Sequence, residues 1–360
     1  MKLLLTLASA ATAMGGVTQL GDVYSSAMND TSGVSYACYR IPSLVKLGDG
    51  RLIAFAEGRR GSCGDHGDVR IVSRSSSDGG KTWGPISQVL SEAGHTIGNP
   101  SPIADSSTGA IWLLYSRDNN QVFVTSSTDA GKTWSVATNQ TLQLKPNPDP
   151  SAWVATGPPG GVQLATGRLV TAAYYNRPDG GTRTFAIFSD DHGATWQRGT
   201  DVGINSTPGQ AVYMGGESQL VPFGGDGLGL AMFIRARTTM DDVAHNHALA
   251  FSQDGGATWA NSTRMSGIQT TYCEGSMAAA DNGDLLVSSP STPNGVRADL
   301  TVWSAPAAAP ANFTKLATLY SGSSAYSSML SLSPQQAGQF INLYEREGSQ
   351  FISLAQFTYP

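Results

Sequence analysis

The stretch Ser76-Ser-Asp78-Gly-Gly80-Lys-Thr-Trp83 decides the fold, because it returns three more times along the chain. The later copies are Ser127-Thr-Asp129-Ala-Gly131-Lys-Thr-Trp134, Ser189-Asp-Asp191-His-Gly193-Ala-Thr-Trp196 and Ser252-Gln-Asp254-Gly-Gly256-Ala-Thr-Trp259. Their tryptophans are 51, 62 and 63 residues apart. Each copy reads as a hairpin turn: the Asp carboxylate caps backbone N–H groups, the Gly supplies a positive φ, and the Trp packs beneath. Strand-like runs precede the four copies at Asp68 to Arg74, Gln121 to Thr125, Arg183 to Phe188 and Ala248 to Phe251. A second set of turns, Gly48-Asp-Gly-Arg-Leu-Ile, Thr166-Gly-Arg-Leu-Val and Asn282-Gly-Asp-Leu-Leu, leads into further apolar strands.

A repeat of roughly 50–60 residues holding about four strands is a propeller blade. Dividing the chain by that period predicts an all-β, six-bladed β-propeller with four-stranded antiparallel blades, its first and last segments combining to close the ring. No linker interrupts the pattern, since the Ala/Pro-rich run from Ala305 to Ala311 is short, so residues 14–360 read as one domain. Composition agrees. Forty-two glycines and only 14% charged residues suit many short strands and exclude a helical bundle or a disordered chain. The turns establish repetition and carry no chemistry of their own.

A net charge of −5 without a Lys/Arg-rich run excludes a nucleic-acid-binding surface, so an anionic ligand would need positive charge concentrated in a pocket. The first residues read as a secretory signal over 1–13: Lys2, the apolar run from Leu3 to Ala10, and the small-x-small site Ala11-Thr12-Ala13. That run is too short to span a bilayer, and no later segment reaches the roughly 20 apolar residues required, so no membrane insertion is expected. Acceptor sequons at Asn29, Asn139, Asn205, Asn261 and Asn312 fit a secreted, N-glycosylated protein. Three cysteines cannot all pair within one chain; a Cys38–Cys63 bridge and three buried free thiols are both open readings.

The repeated turn resembles the Asp-box of sialidases, a motif shared with propellers that only bind other proteins. Further resemblance lies outside the turns. Tyr39-Arg40-Ile41-Pro42 is similar to the family's Phe/Tyr-Arg-Ile-Pro signature, and Leu52-Ile-Ala-Phe-Ala-Glu57-Gly58-Arg59 to its Leu-Ala-Phe-Ala-Glu-x-Arg strand. The acidic loop Gly64-Asp65-His66-Gly67-Asp68 follows, then Gly98-Asn-Pro-Ser-Pro and Gly157-Pro-Pro-Gly-Gly-Val-Gln163-Leu. Pro159 stands where the family has Gly, and Gly160 where many relatives have His. Later come Glu217-Ser-Gln-Leu-Val, Leu230-Ala-Met-Phe-Ile-Arg235, Cys273-Glu-Gly-Ser, Arg297, Ala325-Tyr326-Ser and Leu343-Tyr344-Glu345.

The resemblance implies an exo-α-sialidase acting on terminal sialic acids, N-acetylneuraminic acid or Kdn, of sialylated glycans, with no cofactor and no metal. Arg40, Arg235 and Arg297 would hold the substrate carboxylate, Arg237 competing with Arg235. Glu345 would orient Arg40. Tyr326 would be the nucleophile, Glu217 its base, and Asp65 the general acid/base with Asp68 as its competitor; Arg59 and Gln163 are further pocket candidates. Elementary chemistry supports the set. Arginine forks match carboxylates bidentately. A neutral phenol avoids the repulsion that a carboxylate nucleophile meets beside a substrate carboxylate, which is why sialidases depart from the two-carboxylate scheme. A general acid in this role calls for a raised pKa. Trans-sialylation and a non-catalytic binding propeller are the competing readings.

Overall fold

The structure is a computed structural model that describes residues 14–203, 214–237 and 247–360. The expected signal segment 1–13 and the Asn205 sequon lie outside these residues. No helix among the described residues is long and apolar enough to cross a membrane.

The chain is almost entirely strands. After β1 (Thr18–Ser25) the first sheet follows in sequence order: β2 (Cys38–Lys46), β3 (Leu52–Arg59), β4 (Val69–Ser76) and β5 (Ser87–Leu90). The second holds β6 (Ile97–Ala104), β7 (Ile111–Arg117), β8 (Gln121–Ser127) and β9 (Thr138–Asn139). A single helical turn, α1 (Thr141–Leu144), leads to the third: β10 (Val154–Thr156), β11 (Val162–Gln163), β12 (Leu169–Asn176), β13 (Thr182–Ser189) and β14 (Gln197–Asp201). The fourth contains β15 (Met214–Pro222), β16 (Leu230–Arg237), β17 (His247–Ser252) and β18 (Thr263–Arg264). The rest are β19 (Ser276–Ala279), β20 (Leu285–Pro290), β21 (Ala298–Ala305), β22 (Thr314–Ser331), β23 (Gln339–Arg346) and β24 (Phe351–Thr358).

The expectation of six four-stranded blades is corrected by these pairings. Among the described residues four separate blades are present, of four or five strands each, in a propeller-like, all-β arrangement. The remaining strands form one continuous seven-stranded sheet in the order β1-β24-β23-β22-β21-β20-β19. The cause is β22, an 18-residue strand. Its first half pairs with β21 as far as Ser323, and its second half pairs with β23 from Ser324 onward, so no break separates the two groups. The four repeated turns match the four separate blades one for one, each joining the last two strands of its blade (β4–β5, β8–β9, β13–β14, β17–β18). Extending their period into the C-terminal third, where no copy of the turn occurs, is what failed. The chain ends do meet, since β1 pairs antiparallel with β24.

The repeated turns are built alike. Ser76 Oγ donates to Asp78 Oδ1 at 2.8 Å and accepts from Gly80 N at 2.9 Å, while the Thr82 amide and hydroxyl donate to the same carboxylate at 2.9 and 2.6 Å. Asp129, Asp191 and Asp254 repeat the pattern. The Thr82 hydrogen bonds lower the Asp78 pKa to about 2. Every residue of β3 is buried: an apolar run from Leu52 to Ala56 leads into the buried pair Glu57 and Arg59.

Inner strands of neighbouring sheets pack together: β2 lies against β6 and β22, and β15 against β12 and β19. Four of these inner strands lose register with the next strand beside the site: β2 between Arg40 and Ser43, β6 between Gly98 and Ser101, β15 between Gly215 and Ser218, and β22, against β23, between Ser324 and Ser327. A bulge bends its strand and re-aims a side chain, a device that recurs beside active sites. Arg40, Glu217 and Tyr326 all sit at these irregularities.

Gly193 tests the turn design. Its φ is +87°, and an added Cβ would lie 2.1 Å from Trp112 Cε2. Gly193→Ala should lower unfolding stability by roughly 2–5 kcal/mol, combining the left-handed backbone penalty with overpacking. A chemical-denaturation midpoint equal to that of the parent would refute the assignment.

Candidate active site

Tyr326 is 7% exposed, packed with Ile41 and Cys273, and carried by the bulge in β22. Its hydroxyl donates to Glu217 Oε1. Arg235 Nη1 donates to Glu217 Oε2 and, at 3.0 Å, to the Tyr326 oxygen. Burial, then the Glu217 charge, pushes the phenol well above its usual range, and Arg235 only partly offsets this. At rest, then, the phenol is protonated with its proton directed at a carboxylate. Burial opposes the charge on Arg235, but the Glu217 carboxylate beside it keeps the guanidinium charged. The side chain of Arg237 lies outside the described ones.

Arg40 lies across the same ring, its Cζ 5.0 Å from the Tyr326 centroid, and Arg297 is at 5.8 Å. Behind Arg40 stands Glu345, fully buried, which accepts Arg40 Nε at 3.2 Å and Nη2 at 3.1 Å and also the Ile41 amide at 2.8 Å. Burial disfavours the Arg40 charge, and Glu345 more than offsets it. Arg297 donates to the Tyr272 carbonyl at 3.3 Å. A cavity of about 340 Å³ opens between Arg40, Arg297, Ser324, Glu345 and Ser349. A larger one, about 430 Å³, lies among the turns around Asp49, Asp105 and Asp129, and none of the candidate residues lines it.

Asp65 approaches from the loop between β3 and β4. The Cys38–Cys63 disulfide, with Cα atoms 5.8 Å apart, ties that loop to the start of β2; Cys273 is free and buried. Asp65 Oδ1 accepts Arg59 Nη1 at 2.7 Å and Arg40 Nη1 at 3.3 Å. Arg59 is held in turn by the buried Glu57, at 2.7 Å, whose other oxygen accepts the Asn99 amide at 2.8 Å. The expected raised pKa of Asp65 is not found. Partial burial pushes it up, but Arg59 and then Arg40 bring it below the usual carboxylate range. The side chain is 67% exposed, so water also supports its charge.

Two expected pocket residues lie elsewhere. Asp68 pairs with Arg60 at 2.8 Å and Arg70 at 3.0 Å, away from Tyr326. Gln163 bonds the turn after β6, accepting the Ser106 amide at 2.8 Å and donating to Asp105 at 2.7 Å. At Gly160 a Cβ would meet the Pro102 carbonyl oxygen at 2.6 Å, so the backbone there leaves no room for a side chain.

Sequence reasoning missed three neighbours. Tyr272 stacks under Arg235, Cζ 4.1 Å from its centroid, and its carbonyl accepts from both Arg235 and Arg297. His247 is buried against Phe233, and burial lowers its pKa to about 3, so it is neutral. Trp153 packs between His66 and Tyr174. Tyr272 was signalled by its place beside the Cys273-Glu-Gly-Ser turn and Trp153 by the run it opens towards Gly157, whereas His247 carried no signal.

Together the cluster presents a phenol aimed at a carboxylate, two further carboxylates behind arginines, and a guanidinium surface facing a cavity. Such a surface binds a carboxylate ligand and stabilises negative charge. Among the described residues no group of His, Cys, Asp and Glu is arranged to hold a metal ion.

A BNR repeat-like domain matches residues 50–339. The exo-alpha-sialidase of Arthroderma benhamiae is 34% identical over 173 residues, 39% of this chain and 42% of that protein. The chain thus spans less than half the length of the first curated relatives it matches. The structure of Hadza microbial sialidase Hz136 superposes with a TM-score of 0.73 at 25% identity, over 90% of this chain and 66% of that one. The intramolecular trans-sialidase of Ruminococcus gnavus has the same fold, with a TM-score of 0.73 at 17% identity over 94% of this chain and 97% of that one. With the match over residues 50–339, the chain belongs to the BNR repeat-like domain family, and the proteins it is similar to are sialidases.

Proposed function

We propose that the protein is an exo-α-sialidase that hydrolyses terminal α-linked sialic acids, N-acetylneuraminic acid or Kdn, from glycoconjugates with net retention. The observation that carries this reading is the Tyr326 hydroxyl donating to Glu217 beneath three guanidinium groups. An anomeric carbon that bears a carboxylate repels an anionic nucleophile, and a buried phenol meets that constraint. The exposed acceptor asparagines Asn29, Asn139, Asn261 and Asn312 support an exported, N-glycosylated protein.

In this mechanism Arg40, Arg235 and Arg297 bind the sugar carboxylate. That carboxylate competes with Asp65 for Arg40 and adds negative charge beside it. Both effects raise the Asp65 pKa and let it take up a proton before the chemical step. The Tyr326 oxygen then bonds to the anomeric carbon and its proton passes to Glu217. The glycosidic oxygen leaves with the proton of Asp65. In the second step Asp65 takes a proton from water, whose oxygen bonds to the anomeric carbon. The bond to Tyr326 breaks, and the phenol recovers its proton from Glu217. Charge stabilisation comes from the arginines already in place.

The deciding assay is release of fluorophore from matched aryl α-glycosides of N-acetylneuraminic acid and Kdn. Release from either supports the reading, and the ratio gives the preferred carbon-5 substituent. No release by a folded, glycosylated preparation would favour a binding propeller, whereas transfer of the sugar to an added acceptor in place of water would favour a trans-sialidase.

Three variants divide the roles. Tyr326→Phe should lose about 10²–10⁴-fold in kcat with an unchanged melting temperature, the scale of a lost reacting group; parent-like turnover would refute the nucleophile. Asp65→Ala should lose about 10²–10⁴-fold on a sialyl-oligosaccharide, whose leaving group needs a proton, and far less on an aryl sialoside. Equal losses on both would remove Asp65 from the acid role. Arg297→Ala deletes a charge-assisted hydrogen bond worth about 1.5–3 kcal/mol, so kcat/KM should fall roughly 10–100-fold. An unchanged kcat/KM would place Arg297 outside the carboxylate site.

A further inference from the structure

The turn Cys273-Glu274-Gly275-Ser276 enters β19 directly beneath Tyr326, and its glutamate has no part in the mechanism above. Glu274 is 1% exposed. Its Oε2 accepts the amide of Ser327, the residue after Tyr326, at 2.7 Å. The contact falls where β22 loses register, between Ser324 and Ser327, so it fixes the irregular backbone that aims the phenol. Glu274 Oε1 has no hydrogen-bond partner among the described residues.

Among the described residues no counter-ion is left for a third carboxylate. Glu217 on β15 is committed to Arg235 on β16, and Glu345 on β23 to Arg40 on β2. Glu274 makes no ion pair with either guanidinium, and the adjacent Cys273 thiol, pushed up to about 12 chiefly by burial, is neutral. A buried carboxylate with one amide donor and two like charges nearby is more stable protonated.

We propose that Glu274 is a positioning residue for Tyr326 that acts as a neutral carboxylic acid, Oε2 holding the Ser327 amide while Oε1 carries the proton. The proposal rests on the sialidase reading only in naming Tyr326 as the reacting group. The direction of the Glu274 pKa agrees: burial raises it well above the usual value, Ser327 lowers it, and Glu217 and Glu345 raise it again, with Arg235 a smaller offset. Ionisation would set a negative charge beside Glu217 and Tyr326 and disfavour phenolate character, so activity should fail on the alkaline side. Glutamine keeps the acceptor and cannot ionise.

The test compares the parent, Glu274→Gln and Glu274→Ala in kcat and KM between pH 4.5 and 9, and in melting temperature over the same range. Glu274→Ala should lower kcat about tenfold or more with KM within about twofold, the pattern of a misaligned reacting group. Glu274→Gln should keep kcat within about threefold at pH 5 and hold it to higher pH than the parent, since the ionising group is gone. Stability gives a readout that needs no activity. A carboxyl whose folded pKa is raised is protonated when folded but ionised when unfolded, so the parent loses stability as pH rises from the ordinary carboxylate range towards the folded pKa. The melting temperature of Glu274→Gln minus that of the parent should therefore climb with pH.

A difference that stays flat with pH would overturn the neutral state. A Glu274→Gln loss at pH 5 as large as that of Glu274→Ala would overturn it too, because the charge would then be required. Parent-like kcat in Glu274→Ala would overturn the positioning role. Should Glu274→Ala fail to fold, the Glu274→Gln profiles decide. A parent inactive on every sialoside would refute the sialidase reading, and the melting comparison would still decide whether Glu274 carries its proton.

Discussion

Three guanidinium groups, Arg40, Arg235 and Arg297, crowd one phenol here, and buried carboxylates behind two of them and behind the neighbouring Arg59 allow it. Glu345 holds Arg40, Glu217 holds Arg235, and Glu57 holds Arg59. Removing an ion from water costs several kcal/mol, and breaking a buried pair by deleting one partner costs about 3–5 kcal/mol because the survivor is left uncompensated. The pairs therefore constrain the strands that carry them. Arg297 differs, since among the described residues its guanidinium donates to the Tyr272 carbonyl and pairs with no carboxylate, which suits it to meet a ligand.

The backbone is distorted to bring these pairs together. Ile41 has φ +56° and Asn99 φ +55°, conformations that L-residues avoid. A strained non-glycine residue costs of order 1–3 kcal/mol and persists where its surroundings over-determine it. At Ile41 the determinant is visible: its amide donates to Glu345, the same carboxylate that holds Arg40. Asn99 is fixed likewise by its amide to Glu57 and its side chain to Asn119. Strain, bulge and ion pair are one arrangement seen at three levels.

The long strand β22 supplies the other half of the site. It passes from one partner strand to the next at Ser323 and Ser324, just before Tyr326. Its Ser324 amide donates to the Arg297 carbonyl at 3.1 Å, and its second half runs beside β23, which carries Glu345. One continuous sheet thus brings Arg297, Tyr326 and Glu345 within reach of Arg40. Six independent blades would have required a gap at this place.

Consecutive residues are enough to specify the local chemistry of the chain. Ser, Asp, Gly, Thr and Trp at fixed offsets satisfy one another inside eight residues, so the four turns and the strands before them were legible without a fold. The arginines, Tyr326, Glu217 and Glu345 were legible through their order along the chain. Sheet count, partner choice and protonation state were decided only in three dimensions. Whether β22 ends or continues depends on the strands on both sides of it. Asp68 found Arg60 and Arg70 on either side of it, and Gln163 found a turn of the neighbouring blade that no spacing rule names. Asp65 sits below the carboxylate range instead of above it because Arg59, buried against Glu57, lies 2.7 Å away. Hydrogen bonds within a turn are short-range and written in consecutive residues; charge, burial and strand continuity depend on neighbours that only the folded chain supplies.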